Sequence, residues 1–288
     1  LAILAYMNTE GGAGSGEVKV YAWNGSAWIQ RGSDLNGGAG DLFADVSLSS
    51  DGTTLAIGAN QGAIPVAGPG KASVYDWNGS SWVQRGSDIS GEAFGDRYGN
   101  AVSLSSNGNI LAVGGYSNNS NVGHVRVHSW NGSAWTQLGT DIDGSAADGE
   151  FGKALSLNSD GTVLAIGAMG VNSDAGQASV FAWNGSAWIQ RGSNINGISA
   201  SDLFGEQISI SSNGSIIAIP ARSHNDVGSS RGEIKIYSWN GSAWSQIGSD
   251  IHGEEDNESC GFSLDLSSDG SIIAVGCKGY STPGLSTR

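Results

Sequence analysis

Apolar and polar positions along the chain alternate with a period of two, in short runs. Val18, Val20 and Ala22 fall on one side of a strand, with Lys19, Tyr21 and Trp23 on the other, as expected of β-structure whose two faces meet different surroundings. Each run soon ends at Gly, Asn, Asp or Ser, the residues that turn a chain. Four runs follow one another at Phe151–Leu157, 162–168, Gln177–Trp183 and 187–191, the second after Ser-Asp-Gly and the last after Asn184-Gly185. This spacing predicts a four-stranded antiparallel unit whose last two strands are joined by a two-residue Asn-Gly turn. With such a turn Trp23 faces Ser26, Ala22 faces Ala27 and Tyr21 faces Trp28, which puts both tryptophans of the unit on one face.

The unit repeats. Trp-Asn-Gly-Ser begins at Trp23, Trp77, Trp130, Trp183 and Trp239, and five positions later comes Trp28, Trp82, Trp135, Trp188 or Trp244. A second marker keeps the same phase: Leu48-Ser-Ser-Asp-Gly, Leu104-Ser-Ser-Asn-Gly, Leu157-Asn-Ser-Asp-Gly, Ile210-Ser-Ser-Asn-Gly and Leu266-Ser-Ser-Asp-Gly. A small sheet, aliphatic on one side and aromatic on the other, cannot bury both faces alone, whereas copies stacked around an axis can. The reading is an all-β chain, a β-propeller of four-stranded antiparallel blades with five repeats visible. Its Leu-Ala-Ile-like second strand occurs six times, from Leu1 to Ile273. That leaves open a ring of five blades with one strand to spare, or a ring of six or seven. Residues 1–288 are expected to form a single propeller region. Because the chain starts at Leu1, inside an apolar run, it reads as a piece of something longer.

Composition agrees. Glycine takes 47 of 288 positions and only 14% of residues are charged, which suits turns and buried sheets better than solvated helices. The net charge of −14 argues against nucleic acid or an anionic membrane as partner, and no apolar run approaches a bilayer-spanning length.

Phe94-Gly95, Phe151-Gly152 and Phe204-Gly205 ahead of the first strand, with Ile57-Gly58-Ala59 and Ile166-Gly167-Ala168 in the second, resemble the FG-GAP repeats of integrin α-subunit-like propellers. That resemblance implies a cell-surface or extracellular role. FG-GAP blades often hold calcium on an Asp-x-Asp-x-Asp-Gly loop, but the loops here, such as Ser50-Asp51-Gly52 and Ser159-Asp160-Gly161, offer at most one carboxylate each. No cofactor is expected; calcium, which the resemblance implies, stays open as the one alternative.

Centring the last Ser-Asp-Gly hairpin on Ser268-Asp269 puts Leu266 opposite Ser271, Leu264 opposite Ile273 and Cys260 opposite Cys277. A disulfide between these cysteines is expected, and with it an oxidising compartment. Asn24, Asn78, Asn131, Asn184 and Asn240 each head an Asn-Gly-Ser glycosylation signal at a hairpin tip, although the turn itself favours the same residues.

Signs of catalysis are thin. His124, His128, His224 and His252 show no metal-binding spacing, and His128 stands where other units have Tyr21, Tyr75, Phe181 or Tyr237. Gly228-Ser229-Ser230-Arg231-Gly232 matches a serine-hydrolase elbow but precedes a strand instead of a helix. Near-identical units leave little room for the asymmetry of an axial catalytic site. The expectation is therefore a secreted or cell-surface scaffold or adhesion module without catalysis or metal, meeting other proteins through its variable loops 61–71, 116–124 and 221–231. The alternative is a glycan-binding propeller that uses the repeated tryptophans.

Overall fold

The computed structural model describes residues 1–6, 8–61, 68–226 and 228–279, and in them six antiparallel sheets succeed one another. Blade 4 shows the pattern: an inner strand Phe151–Leu157, then Val163–Ala168, then Gln177–Trp183, and an outer edge broken into Trp188–Gln190 and Ile195–Asn196. Blades 2, 3 and 5 repeat it. Among the described residues, blade 1 starts with the second strand Ala2–Ala5, and blade 6 shows Cys260–Leu266 and Ile273–Cys277. These last two strands form their own sheet instead of completing blade 1. The six second strands therefore belong to six blades.

Stacking the blades buries the second strands on both faces. Thr54–Ala59 and Val163–Ala168 are buried at every position, which is why they read as unbroken apolar runs instead of alternating ones. Two sets of hydrogen bonds tie neighbouring blades together near the axis. Ser50, Ser106, Ser159 and Ser212 each donate a backbone N–H to the carbonyl of the next, ending at Ser268, at 2.8–3.0 Å. The hydroxyls of Ser47, Ser103, Ser156 and Ser209 accept the backbone N–H of Leu104, Leu157, Ile210 and Leu266. The outer rim has a third set: the indoles of Trp82, Trp135, Trp188 and Trp244 donate to the carbonyls of Arg31, Arg85, Leu138 and Arg191 in the preceding blade, at 2.8–3.0 Å. Arg31, Arg85 and Arg191 also lie over the next blade's Trp77, Trp130 and Trp239, at 4.8–4.9 Å from the ring centroids.

The glycine motifs follow from this packing. A Cβ on Gly58, Gly114 or Gly167 would strike the carbonyl oxygen of Gly99, Gly152 or Gly205 in the next blade. The Gly-Ala and Phe-Gly segments therefore recur because two backbones touch there. Phe94-Gly95 is not part of this set: Phe94 is 75% exposed. The buried slot belongs to Tyr98, whose bridge to Gly70 matches Phe151 to Gly123 and Phe204 to Gly176.

The two hairpins depart from the register expected. Trp23 pairs with Trp28, Ala22 with Ile29 and Tyr21 with Gln30, so the loop holds four residues, not two. The cause is the asparagine side chain. Asn24 Oδ1 accepts the N–H groups of Ser26 and Ala27 at 2.9 and 2.8 Å, and Asn78, Asn131, Asn184 and Asn240 do the same in their loops. This Asx geometry replaces the tighter backbone turn. In blade 6, Leu266 pairs with Ile273 and Leu264 with Val275, two residues off the expected pairing. A bulge between Cys260 and Ser263 absorbs the offset and sets Cys260 against Cys277, and the two form a disulfide. Replacing both cysteines by serine will lower stability by about 3 kcal/mol, the entropy of closing a loop of this size. Urea unfolding of wild type and variant, each with and without reductant, checks this: reductant will shift only the wild type.

Candidate functional site

The second-to-third-strand loops and the loops between blades lie on one face of the array, and the Ser-Asp-Gly and Asn-Gly turns lie on the other. The three loops expected to meet partners are on the first face, although residues 62–67 and 227 fall outside the described residues. Ser229 and Ser230 of the elbow-like motif lie in the last of these loops, ahead of the strand Glu233–Trp239. Near the axis on this face is a cavity of about 430 Å³, lined by Asp45, Asn60, Arg97, Asn100, Tyr116, Lys153 and Glu206 among others. Other clefts, of about 310 Å³ between blades 3 and 4 and about 490 Å³ between blades 4 and 5, lie over the aromatic stitches that join blades 1 to 5.

What sets the axial cavity apart is that equivalent positions differ there. The residue after the interface glycine is Asn100, Lys153, Glu206 or Phe262. The residue that follows the second strand is Tyr6, Asn60, Tyr116, Met169, Arg222 or Lys278, and the residue before the buried aromatic is Leu42, Arg97, Glu150 or Leu203. Most strand positions, by contrast, are near-copies from blade to blade. The expectation that near-identical units leave little room for an asymmetric axial site is thus corrected: the asymmetry is concentrated in a few columns that converge on the axis. Comparing units column by column, and looking for differences instead of likeness, would have found them.

Tyr116 is buried between two cations. The Arg97 guanidinium donates to its hydroxyl and lies 5.4 Å from its ring centroid, and Lys153 Nζ lies 3.9 Å from the same ring. Such stacking holds both charges in place before any ligand arrives. Lys153 also has Glu150 at 3.8 Å, and Arg222 is paired with Glu206. Arg97 has no carboxylate within ion-pair distance among the described residues. Among the described residues Arg97 makes one side-chain hydrogen bond, to Tyr116, and in a chain of net charge −14 an arginine facing a cavity can receive an anion.

Asp45 lines the same cavity. Its carboxylate accepts the backbone N–H of Val102 at 2.9 Å and of Val46 at 2.8 Å. Burial outweighs these bonds and raises its pKa to about 6. A carboxylate so poised is ionised at neutral pH yet basic enough to take a proton from water.

The remaining residues singled out in the sequence lie elsewhere. The carboxylates of Asp51, Asp160 and Asp269 are taken up in their own turns, each accepting the N–H of the residue two positions on. Asn24, Asn78, Asn131, Asn184 and Asn240 sit on the face opposite the axial cavity. His128 is a core residue bonded to Tyr98, and blade 5 brings His224 close to a carboxylate cluster that also holds His252.

No family model matches the chain, and no curated protein matches it in sequence. Among solved structures it is similar to a candidate 6-phosphogluconolactonase from Bacteroides uniformis, with 14% identity and a TM-score of 0.61, covering 96% of this chain and 74% of that one. A candidate 6-phosphogluconolactonase from Bacteroides fragilis gives 13% identity, a TM-score of 0.58, and coverage of 83% and 65%. TolB from Acinetobacter baumannii gives 14%, 0.48, and 83% and 52%. The chain spans about half to three quarters of the lengths of these structures. At these identities the likeness is one of fold, the β-propeller.

Two expectations are corrected here. The chain is not placed with FG-GAP repeats, since no family model matches and the similar solved propellers are of lactonase kind. The motif that suggested the resemblance is explained by glycine contacts between blades. The non-catalytic scaffold or adhesion module gives way as well, because these neighbours are named for a hydrolase and the axial cavity gathers charged, divergent side chains. Its glycan-binding alternative relied on tryptophans, and four of the five pairs are instead engaged between blades. Among the described residues no helix is long and apolar enough to cross a membrane.

Proposed function

We propose that this propeller is a hydrolase of an anionic, sugar-derived lactone or ester, with its substrate held in the axial cavity. The observation that carries this reading is Arg97, free of a carboxylate partner among the described residues and stacked with Lys153 on Tyr116, in the same cavity as the half-buried Asp45. Arg97 and Lys153 would hold the substrate's phosphate or carboxylate, and Asn60 and Asn100 would meet its hydroxyls. Asp45 would take the proton from the attacking water, with the N–H groups of Val46 and Val102 fixing its orientation. The fold shared with two candidate 6-phosphogluconolactonases makes 6-phosphogluconolactone the first substrate to try. The Cys260–Cys277 disulfide supports work in an oxidising compartment. There, glycans on Asn24, Asn78, Asn131, Asn184 or Asn240 would leave the opposite, axial mouth open.

The test is lactone hydrolysis above the spontaneous rate. R97A and K153A will each raise KM roughly tenfold or more, with a smaller effect on kcat. D45N will lower kcat by about 10²–10⁴-fold, and wild-type activity will fall as pH drops through about 6, where Asp45 takes up its proton. Absence of both turnover and 6-phosphogluconate binding at millimolar concentration would overturn the proposal.

A further inference from the structure

Blade 5 has a charged triad where its third strand starts: Lys235 Nζ lies 2.8 Å from Glu233 Oε1 and 2.8 Å from Asp250 Oδ2. Blade 1 builds the same triad from Glu17, Lys19 and Asp34, at 3.3 and 3.2 Å. The triad is therefore part of how a blade is made. What surrounds it differs. In blade 1, Asn8 donates to Glu17 at 2.7 Å, Glu10 follows two residues later, and Asn36 pairs with Glu17 across the sheet. In blade 5 the corresponding residues are His224, Asp226 and His252, and His252 pairs with Glu233 in the same register. Two asparagines have been replaced by two histidines around one carboxylate. Asparagine serves the hydrogen bonds; histidine adds a nitrogen lone pair suited to a metal.

The geometry fits such an ion. His224 Nδ1 lies 2.9 Å from Asp202 Oδ2, and both side chains are buried. A carboxylate at Nδ1 turns the Nε2 lone pair inward, the outer-shell arrangement that metal-binding histidines use. That Nε2 lies 3.0 Å from Asp226 Oδ1 and 3.9 Å from Glu233 Oε1. His252 Nδ1 is 4.0 Å from the same Asp226 oxygen, and this nitrogen is buried without a hydrogen-bond partner. Ligands about 2.1 Å from a tetrahedral ion stand roughly 3.4 Å apart; His224, Asp226 and Glu233 offer ligand atoms within 4.8 Å of one another, so these three close on one ion with small side-chain adjustments, and His252 joins them by a larger turn of its ring. Asp202, Asp226, Glu233 and Asp250 gather around the two histidines and Lys235, a concentration of negative charge that a divalent ion would offset.

We propose that His224 Nε2, Asp226 and Glu233 bind one divalent transition ion of the zinc type, with His252 turning in as the fourth donor and Asp202 orienting His224. Two nitrogen donors and a small ligand set disfavour calcium and magnesium, which prefer more numerous oxygens. The rival occupant is a proton. Burial works against an imidazolium at His224, yet the bonds to Asp202 and Asp226 and the charge of Glu233 raise its pKa.

The test is Co²⁺ titration of the chelator-stripped chain, followed by visible absorption, with Zn²⁺ competition by calorimetry. The wild type will bind one Co²⁺ with the intense bands of a four-coordinate ion, and Zn²⁺ will displace it. H224N/H252N restores the blade 1 asparagines, so it will fold, as circular dichroism will report, and lose at least 100-fold in affinity. D202N will weaken binding by about 10–100-fold at unchanged stoichiometry. Failure of the wild type to take up either ion at roughly 100 μM, or equal binding by the folded double variant, would overturn the site in favour of protonated histidines.

Discussion

Truncating Trp135 to alanine will cost about 3–5 kcal/mol, the range for removing a large packed aromatic, whereas the same change at Trp28 will cost about 1 kcal/mol or less. The two residues are equivalent in the repeat and pair alike with Trp130 and Trp23, at ring separations of 5.5 and 5.7 Å. Their surroundings differ. Trp135 donates its indole N–H to the Arg85 carbonyl at 3.0 Å and packs against the blade 3 core, while the Arg85 guanidinium spans both rings of the pair and donates to the Gly108 carbonyl. Trp23 and Trp28 are each 54% exposed. Urea unfolding of the two variants under one condition separates a packing role from an intrinsic effect of the residue. Equal losses would mean that the stitch between blades contributes little.

This contrast shows what could be read from the sequence. Repetition carried the fold: Trp-Asn-Gly-Ser and Ser-Asp-Gly in fixed phase located the strands of blade 4 to within a residue or two. Register was less accessible, because it depends on a side chain competing with the backbone. Asn24 Oδ1 widens the loop and shifts every pairing above it. The disulfide was read correctly from a wrong register, since the bulge beside Cys260 restores the offset lost at the turn. Phe94 precedes a glycine as Phe151 and Phe204 do, but the buried slot they fill is taken by Tyr98 in its blade.

The candidate sites escaped for a different reason. Likeness between units marks what every blade needs for stability, so a reading built on likeness finds the core and passes over function. Arg97, Tyr116, Lys153 and Asp45 come from three blades and meet only at the axis. His224 comes from a loop and His252 from the outer edge strand of the same blade, and no local spacing announces them. Their signal was present as substitution: asparagine to histidine at two facing columns, the same kind of paired change that revealed Cys260 and Cys277.

Acid will weaken the fold through His128, and changing Tyr98 and His128 together to phenylalanine will remove that weakness. His128 is buried, shares a 3.0 Å hydrogen bond with the Tyr98 hydroxyl, and has its pKa lowered to about 4 by burial, with the nearby Arg126 charge adding to the effect and Asp141 opposing it. In the unfolded chain it titrates near 6.5. A depressed folded-state pKa in a base means that the unfolded state binds the proton first. Stability is therefore full above about pH 6.5, declines as pH falls, and reaches a total loss of about 3 kcal/mol near pH 4. Blade 4 shows what the replacement looks like: Phe151 and Phe181 occupy the equivalent positions and meet edge to face, with centroids 6.3 Å apart. Replacing both partners by apolar groups leaves no buried hydroxyl unpaired, so the double variant should stay within about 1 kcal/mol of wild type at pH 7.5, while H128F alone strands the Tyr98 hydroxyl and costs about 1–3 kcal/mol. The measurement is the difference in urea unfolding free energy between wild type and Y98F/H128F at several pH values from 7.5 to 4.5, in which the many other carboxylates cancel. Parallel curves would show that His128 is not the group through which acid acts.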